Sequence, residues 1–173
     1  MRGRPAARPL ALALLLAAAL PPLAGCAVQP VYSQGASSLQ AEMFAAIDVA
    51  PIPERAGFLV RGRLLALLDT GQPPSPKRYR LEVTLDDQIE AFGVRENNTA
   101  VRERRTLRAR YRLVAIDSGA VLFQGRAGSD AGIDVVGSEY AVVAAEVTAL
   151  ENLSATVAAQ IVDRLAIYAR TLG

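Results

Sequence analysis

Three successive stretches, YRLEVTLDDQIEA (79–91), RERRTLRARYRLVA (102–115) and VLFQGRA (121–127), decide the fold, because each alternates in side-chain character with a period of two. In the first, Tyr79, Leu81, Val83, Leu85, Ile89 and Ala91 share one parity, and Arg80, Glu82, Asp86, Gln88 and Glu90 share the other. In the second, Leu107, Ala109, Tyr111, Leu113 and Ala115 stand against Arg102, Arg104, Arg108, Arg110 and Arg112. In the third, Val121, Phe123, Gly125 and Ala127 alternate with Leu122, Gln124 and Arg126. Successive side chains of a strand point to opposite faces, so the pattern predicts three strands, each with one buried side. The intervening Gly93–Ala100, with Glu96, Asn97 and Asn98, and the Asp117-Ser118-Gly119 triplet carry turn chemistry, which makes the three an antiparallel meander.

Working outward, Ala45, Ile47 and Val49 form a short first strand that stops at Pro51-Ile52-Pro53, where a missing N–H ends pairing. From Glu54 to Leu68 the residues Phe58, Leu64, Leu65, Leu67 and Leu68 fit a helical face, which Gly57 and Gly62 weaken and Gly71 terminates. Pro73, Pro74 and Pro76 then turn the chain into the meander. At the far end Ser138 can cap a helix reaching about Arg170, with Tyr140, Val143, Val147, Leu150, Val157, Ile161, Leu165 and Tyr168 at helical spacing. The order predicts an α+β fold over residues 44–173, a four-stranded mixed or antiparallel sheet with two helices packed on one face.

The N-terminus has a different character. Arg2, Arg4 and Arg8 precede an apolar run from Leu10 to Leu20, the layout of a secretory signal over residues 1–25. That run is shorter than the roughly 20 residues a bilayer-spanning helix needs. Leu23-Ala24-Gly25-Cys26 closes it as a lipobox, so cleavage is expected before Cys26, with acylation on its thiol. Cys26 is the only cysteine, which excludes a disulfide within the chain. Residues 26–43, with Gln29, Ser33, Gln34, Gly35, Ser37 and Ser38, are expected to form a lipidated tether without regular structure. Loss of the signal removes three of 19 basic residues and none of 17 acidic ones, so the remaining domain is nearly neutral.

The composition excludes much chemistry. With no histidine, no thiol free after acylation, no Gly-rich phosphate loop and no G-x-S-x-G elbow, the common nucleophile–base and zinc constellations cannot be assembled. The adjacent carboxylates Asp86 and Asp87 point to opposite faces of their strand. The chain is therefore expected to be no enzyme, and no cofactor or metal is expected. The arginines are the unusual feature, because Arg102 to Arg112 line one face over about 33 Å. A hairpin centred near Glu96 would set Glu90, Asp86 and Glu82 opposite Arg102, Thr106 and Arg110, neutralising only part of that charge. The rest suits an anion, since guanidinium forks match phosphate and carboxylate. A location outside the cytoplasm argues against nucleic acid.

Several segments together resemble the LPS-assembly lipoprotein family, LptE, through most of the chain after Cys26. They are Cys26-Ala27-Val28-Gln29-Pro30-Val31-Tyr32; Ile47-Asp48-Val49-Ala50-Pro51-Ile52 with Arg55 and Arg61; Tyr79-Arg80-Leu81 and Tyr111-Arg112-Leu113; and the ending from Tyr140 to Tyr168. Ala27-Val28 replaces the family's usual Gly-Phe, and Gly62 stands where asparagine is often seen. The resemblance implies an outer-membrane lipoprotein, anchored through Cys26 and facing the periplasm and a barrel interior. It would plug and stabilise the LPS-assembly β-barrel LptD and bind lipopolysaccharide during its insertion into the outer leaflet. On that reading Arg102, Arg104, Arg108, Arg110 and Arg112 contact lipopolysaccharide or acidic positions of the barrel. The alternative is an auxiliary lipoprotein of a lipid-transport ABC system.

Overall fold

The computed structural model describes residues 38–71, 73, 75–94, 100–135 and 138–172, so the expected signal and acylated Cys26 lie outside the described residues. In chain order the elements are α1 (Ser38–Ala45), β1 (Ile47–Val49), α2 (Glu54–Leu68), β2 (Tyr79–Val94), β3 (Ala100–Ala115), β4 (Val121–Asp134) and α3 (Glu139–Arg170). The strands lie in the order β1-β2-β3-β4, with β1 parallel to β2 and the remaining pairs antiparallel. The expected α+β architecture with a four-stranded mixed sheet is present.

The meander follows the alternation. Leu81, Leu107, Ala109, Tyr111 and Leu113 are buried on the helix-covered side, while Arg108, Arg110 and Arg112 are exposed on the other. α3 packs across β3 and β4 and against α2, and Leu150, Leu153, Val157, Ile161 and Leu165 fill the core. α3 is long and apolar enough to cross a membrane, yet its C-terminal two-thirds supply the inner stripe of this core. Near 25 cal/mol per Å², each fully buried leucine or isoleucine contributes about 2 kcal/mol.

Four expectations are corrected. A third helix, α1, begins at Ser38 inside the expected tether and takes Ala45 from the first strand, because Met43 and Phe44 are buried in the core. Phe58, Leu65 and Leu67 are exposed, since the buried line of α2 runs through Ala56, Val60, Leu64 and Leu68 at intervals of four. Gly57 sits on this buried side, where a Cβ would lie 2.5 Å from the Ile52 carbonyl oxygen, so the glycine permits close packing. At the other end, Tyr140 and Val143 are exposed at 85% and 51%, because α3 reaches the core only from Ala149 onward. Ser138 occupies the N-cap position but makes no side-chain capping bond.

The fourth correction is the hairpin register. Glu82, Asp86 and Glu90 pair with Arg112, Arg108 and Arg104, two residues from the expected alignment. A shift of two keeps every side chain on its face. It also places an arginine, instead of Thr106, opposite Asp86.

Candidate functional site

The site is the sheet face turned away from the helices. All five arginines expected there, Arg102, Arg104, Arg108, Arg110 and Arg112, occupy that parity of β3 and are exposed. Their surroundings divide them. Arg102 donates from Nε to Asp134 Oδ1 at 2.8 Å, and Arg112 from Nε to Glu82 Oε2 at 2.5 Å. Arg104 lies 5.3 Å from the centroid of the Phe92 ring, a cation–π contact. Arg108 and Arg110 form no ion pair among the described residues.

Arg110 is the least compensated by its neighbours. Thr84 stands opposite it on β2 and Arg126 opposite it on β4. The type of the second pairing follows from Gly128. Gln160 accepts from the Gly128 N–H at 3.0 Å and donates to its carbonyl at 3.3 Å, so both main-chain groups face away from β3. Gly128 and its partner Arg108 are therefore a non-hydrogen-bonded pair, and alternation makes Arg110 and Arg126 another. Such pairs bring Cα atoms to about 4.5 Å, the tighter of the two antiparallel spacings. Like charges directly opposite one another destabilise a sheet.

A shallow groove of about 550 Å³ opens between these residues, bordered by Glu82, Thr84, Arg110, Arg112, Gln124 and Arg126. Three guanidinium groups, Arg110, Arg112 and Arg126, border it with one carboxylate, Glu82. The Thr84 hydroxyl and Gln124 amide add neutral donors. Missing side chains open the surface further: a Cβ on Gly128 would lie 2.6 Å from Arg108 Cδ, so this glycine lets the arginine stem lie across β4. The arrangement can hold a phosphate or carboxylate by charge-assisted hydrogen bonds.

Sequence reasoning placed Arg126 on the polar parity of its strand without assigning it to the site, since only the β3–β4 register sets it against Arg110. Arg105 has the opposite role. It points inward and grips Asp87 through two bonds of 2.9 and 2.6 Å, with side chains only 12% and 17% exposed. A third bond reaches the Glu146 carbonyl at 2.9 Å. The hydrogen bond to Asp87 raises the Arg105 pKa, burial opposes the shift, and the charges of Asp87 and Glu146 support it. Behind the groove Tyr111 is buried, and its hydroxyl makes no hydrogen bond of good geometry among the described residues. Burial pushes its pKa up, while nearby Arg164 opposes the rise through its charge and its N–H donors. Its ring sits 6.1 Å from that of Phe123, which stacks on Tyr168 at 4.9 Å.

No protein-family model matches the chain, and no curated protein sequence matches it. Solved structures do. A chain from Caulobacter crescentus described as a lipoprotein is 28% identical, with 77% of this chain and 96% of that chain covered and a TM-score of 0.62. A minor lipoprotein from Acinetobacter baumannii is 12% identical, covering 72% and 94% at a TM-score of 0.56. The rare lipoprotein B of Shewanella oneidensis is 11% identical, covering 73% and 96% at a TM-score of 0.52. The chain shares the fold of these lipoproteins.

Proposed function

We propose that this protein is an outer-membrane lipoprotein, anchored through Cys26 and facing the periplasm, that plugs and stabilises the LPS-assembly barrel LptD. Its arginine face binds lipopolysaccharide as that lipid is passed to the outer leaflet. The observation carrying this reading is the position of Arg110, set between Thr84 and Arg126 with no carboxylate opposite it. A protein that needed only a stable sheet would gain by placing an acid at position 126. Keeping a second arginine there costs stability and suits a ligand that brings negative charge.

Three further points support the reading. The Leu23-Ala24-Gly25-Cys26 lipobox supplies the anchor. The fold is that of lipoproteins, one of them called rare lipoprotein B. Lipopolysaccharide carries phosphates and carboxylates, the groups that guanidinium forks hold. The mechanism is binding and placement, with no bond made or broken, and it needs neither cofactor nor metal.

Capture of the tagged full chain from detergent-solubilised membranes tests the partner. Co-purification of a large outer-membrane barrel is the expected result. Capture of an ABC permease with its substrate-binding lipoprotein would overturn the proposal and select the ABC-system reading.

A further inference from the structure

β2 is paired with β3 along its length, but with β1 only at Tyr79, Arg80 and Leu81. Beyond Leu81 no strand lies on that side among the described residues. The direction of its free main-chain groups follows from the paired end. The Tyr79 N–H donates to the Ala46 carbonyl at 3.1 Å, and the Leu81 carbonyl accepts from the Ala50 N–H at 3.0 Å. Alternation then turns the N–H and C=O of Val83, Leu85, Asp87 and Ile89 toward the same open side. The opposite edge of the sheet differs, because Gln160 closes it at Gly128.

An open edge normally carries a proline, a lysine or a bulge that prevents strand addition. β2 contains neither residue, and its register with β3 runs without a bulge from Tyr79 to Phe92. Its one inward charge, Asp87, is neutralised by Arg105. We infer that the edge of β2 beyond Leu81 is a docking site for an extended segment of a partner protein, which adds as a fifth strand.

The side chains specify the segment. On the open sheet face the edge presents Glu82, Asp86 and Glu90, and the last two form no ion pair among the described residues. On the helix side it presents half-buried Leu85 and exposed Ile89, the latter at 42%. The incoming strand therefore alternates basic with apolar residues. A second copy of this chain is a poor occupant, because antiparallel pairing of β2 with itself would set this carboxylate face against another. The edge shares Glu82 with the border of the arginine groove, but its free main-chain groups face away from β3, so strand addition does not depend on the ligand proposed for that groove.

Hydrogen exchange on the full chain in detergent, with and without a synthetic peptide alternating valine and arginine, tests the inference. The amides of Val83, Leu85, Asp87 and Ile89 should exchange at least about tenfold more slowly with the peptide bound, and a valine–glutamate peptide should leave them unchanged. Ile89→Pro should abolish the protection, since it removes an N–H that β3 does not use. Equal protection by both peptides would overturn the assigned partner chemistry. No protection by either, or amides already slow in the chain alone, would overturn the docking site itself, whether or not the proline variant folds.

Discussion

Arg110 on β3 and Arg126 on β4 stand directly opposite one another, in the closer of the two antiparallel pairings. Two guanidinium groups held this way repel each other, and neither forms an ion pair among the described residues. The repulsion diminishes when an anion sits between them, so the pair links the stability of the sheet to its proposed ligand.

Arg126→Glu converts the repulsive pair into an attractive one. The variant should gain about 0.5–1 kcal/mol of stability while losing affinity for lipopolysaccharide. Urea unfolding and binding, measured on the same preparation, check the two opposite signs.

Asp87→Ala leaves Arg105 confined without its partner. Breaking a largely buried pair costs about 3 kcal/mol, so a clear drop in the urea midpoint is expected. Asp87→Leu combined with Arg105→Met should recover most of it, because an apolar pair of similar volume no longer carries a desolvation penalty.

Gly57 and Gly62 should respond to alanine with opposite signs. A Cβ at Gly57 meets the Ile52 main chain, and helix α2 must shift, costing about 1–3 kcal/mol. Nothing lies within 4 Å of a Cβ at Gly62, so Gly62→Ala should stabilise by about 0.5–1 kcal/mol through helix propensity. Thermal unfolding of the two single variants is sufficient.

Tyr111 sets an alkaline limit. Its pKa is raised in the folded protein, so the proton is held more tightly there than in the unfolded chain. This contribution is complete below the unfolded value near 10 and is lost as pH rises from there through the folded value. Tyr111→Phe removes a buried hydroxyl that makes no hydrogen bond of good geometry among the described residues, and should be about as stable near neutral pH. It should also lack this share of the decline above about pH 10, as Tm against pH would show.

The sheet was legible in the sequence because alternation is a local property: Leu107 to Leu113 and Arg108 to Arg112 declare their faces without any partner. Helix α2 was legible in extent and misread in orientation. Phe58 outweighs Ala56 and Gly57 in hydrophobicity, yet Gly57 lies against the Ile52 main chain, where even a Cβ would clash. α1 was hidden because Met43 and Phe44 are two core residues at the end of a polar segment. The five arginines were legible as a row, whereas the Arg110–Arg126 opposition depends on the β3–β4 register, which no single strand encodes.

Lipopolysaccharide binding by the folded double variant Arg108→Glu/Arg110→Glu tests the central claim most directly. The account predicts at least about a tenfold loss of affinity, equivalent to about 1.4 kcal/mol. It also predicts a weaker dependence on salt than the unaltered protein shows. Unchanged affinity in a double variant with the unaltered circular dichroism spectrum and Tm would contradict it.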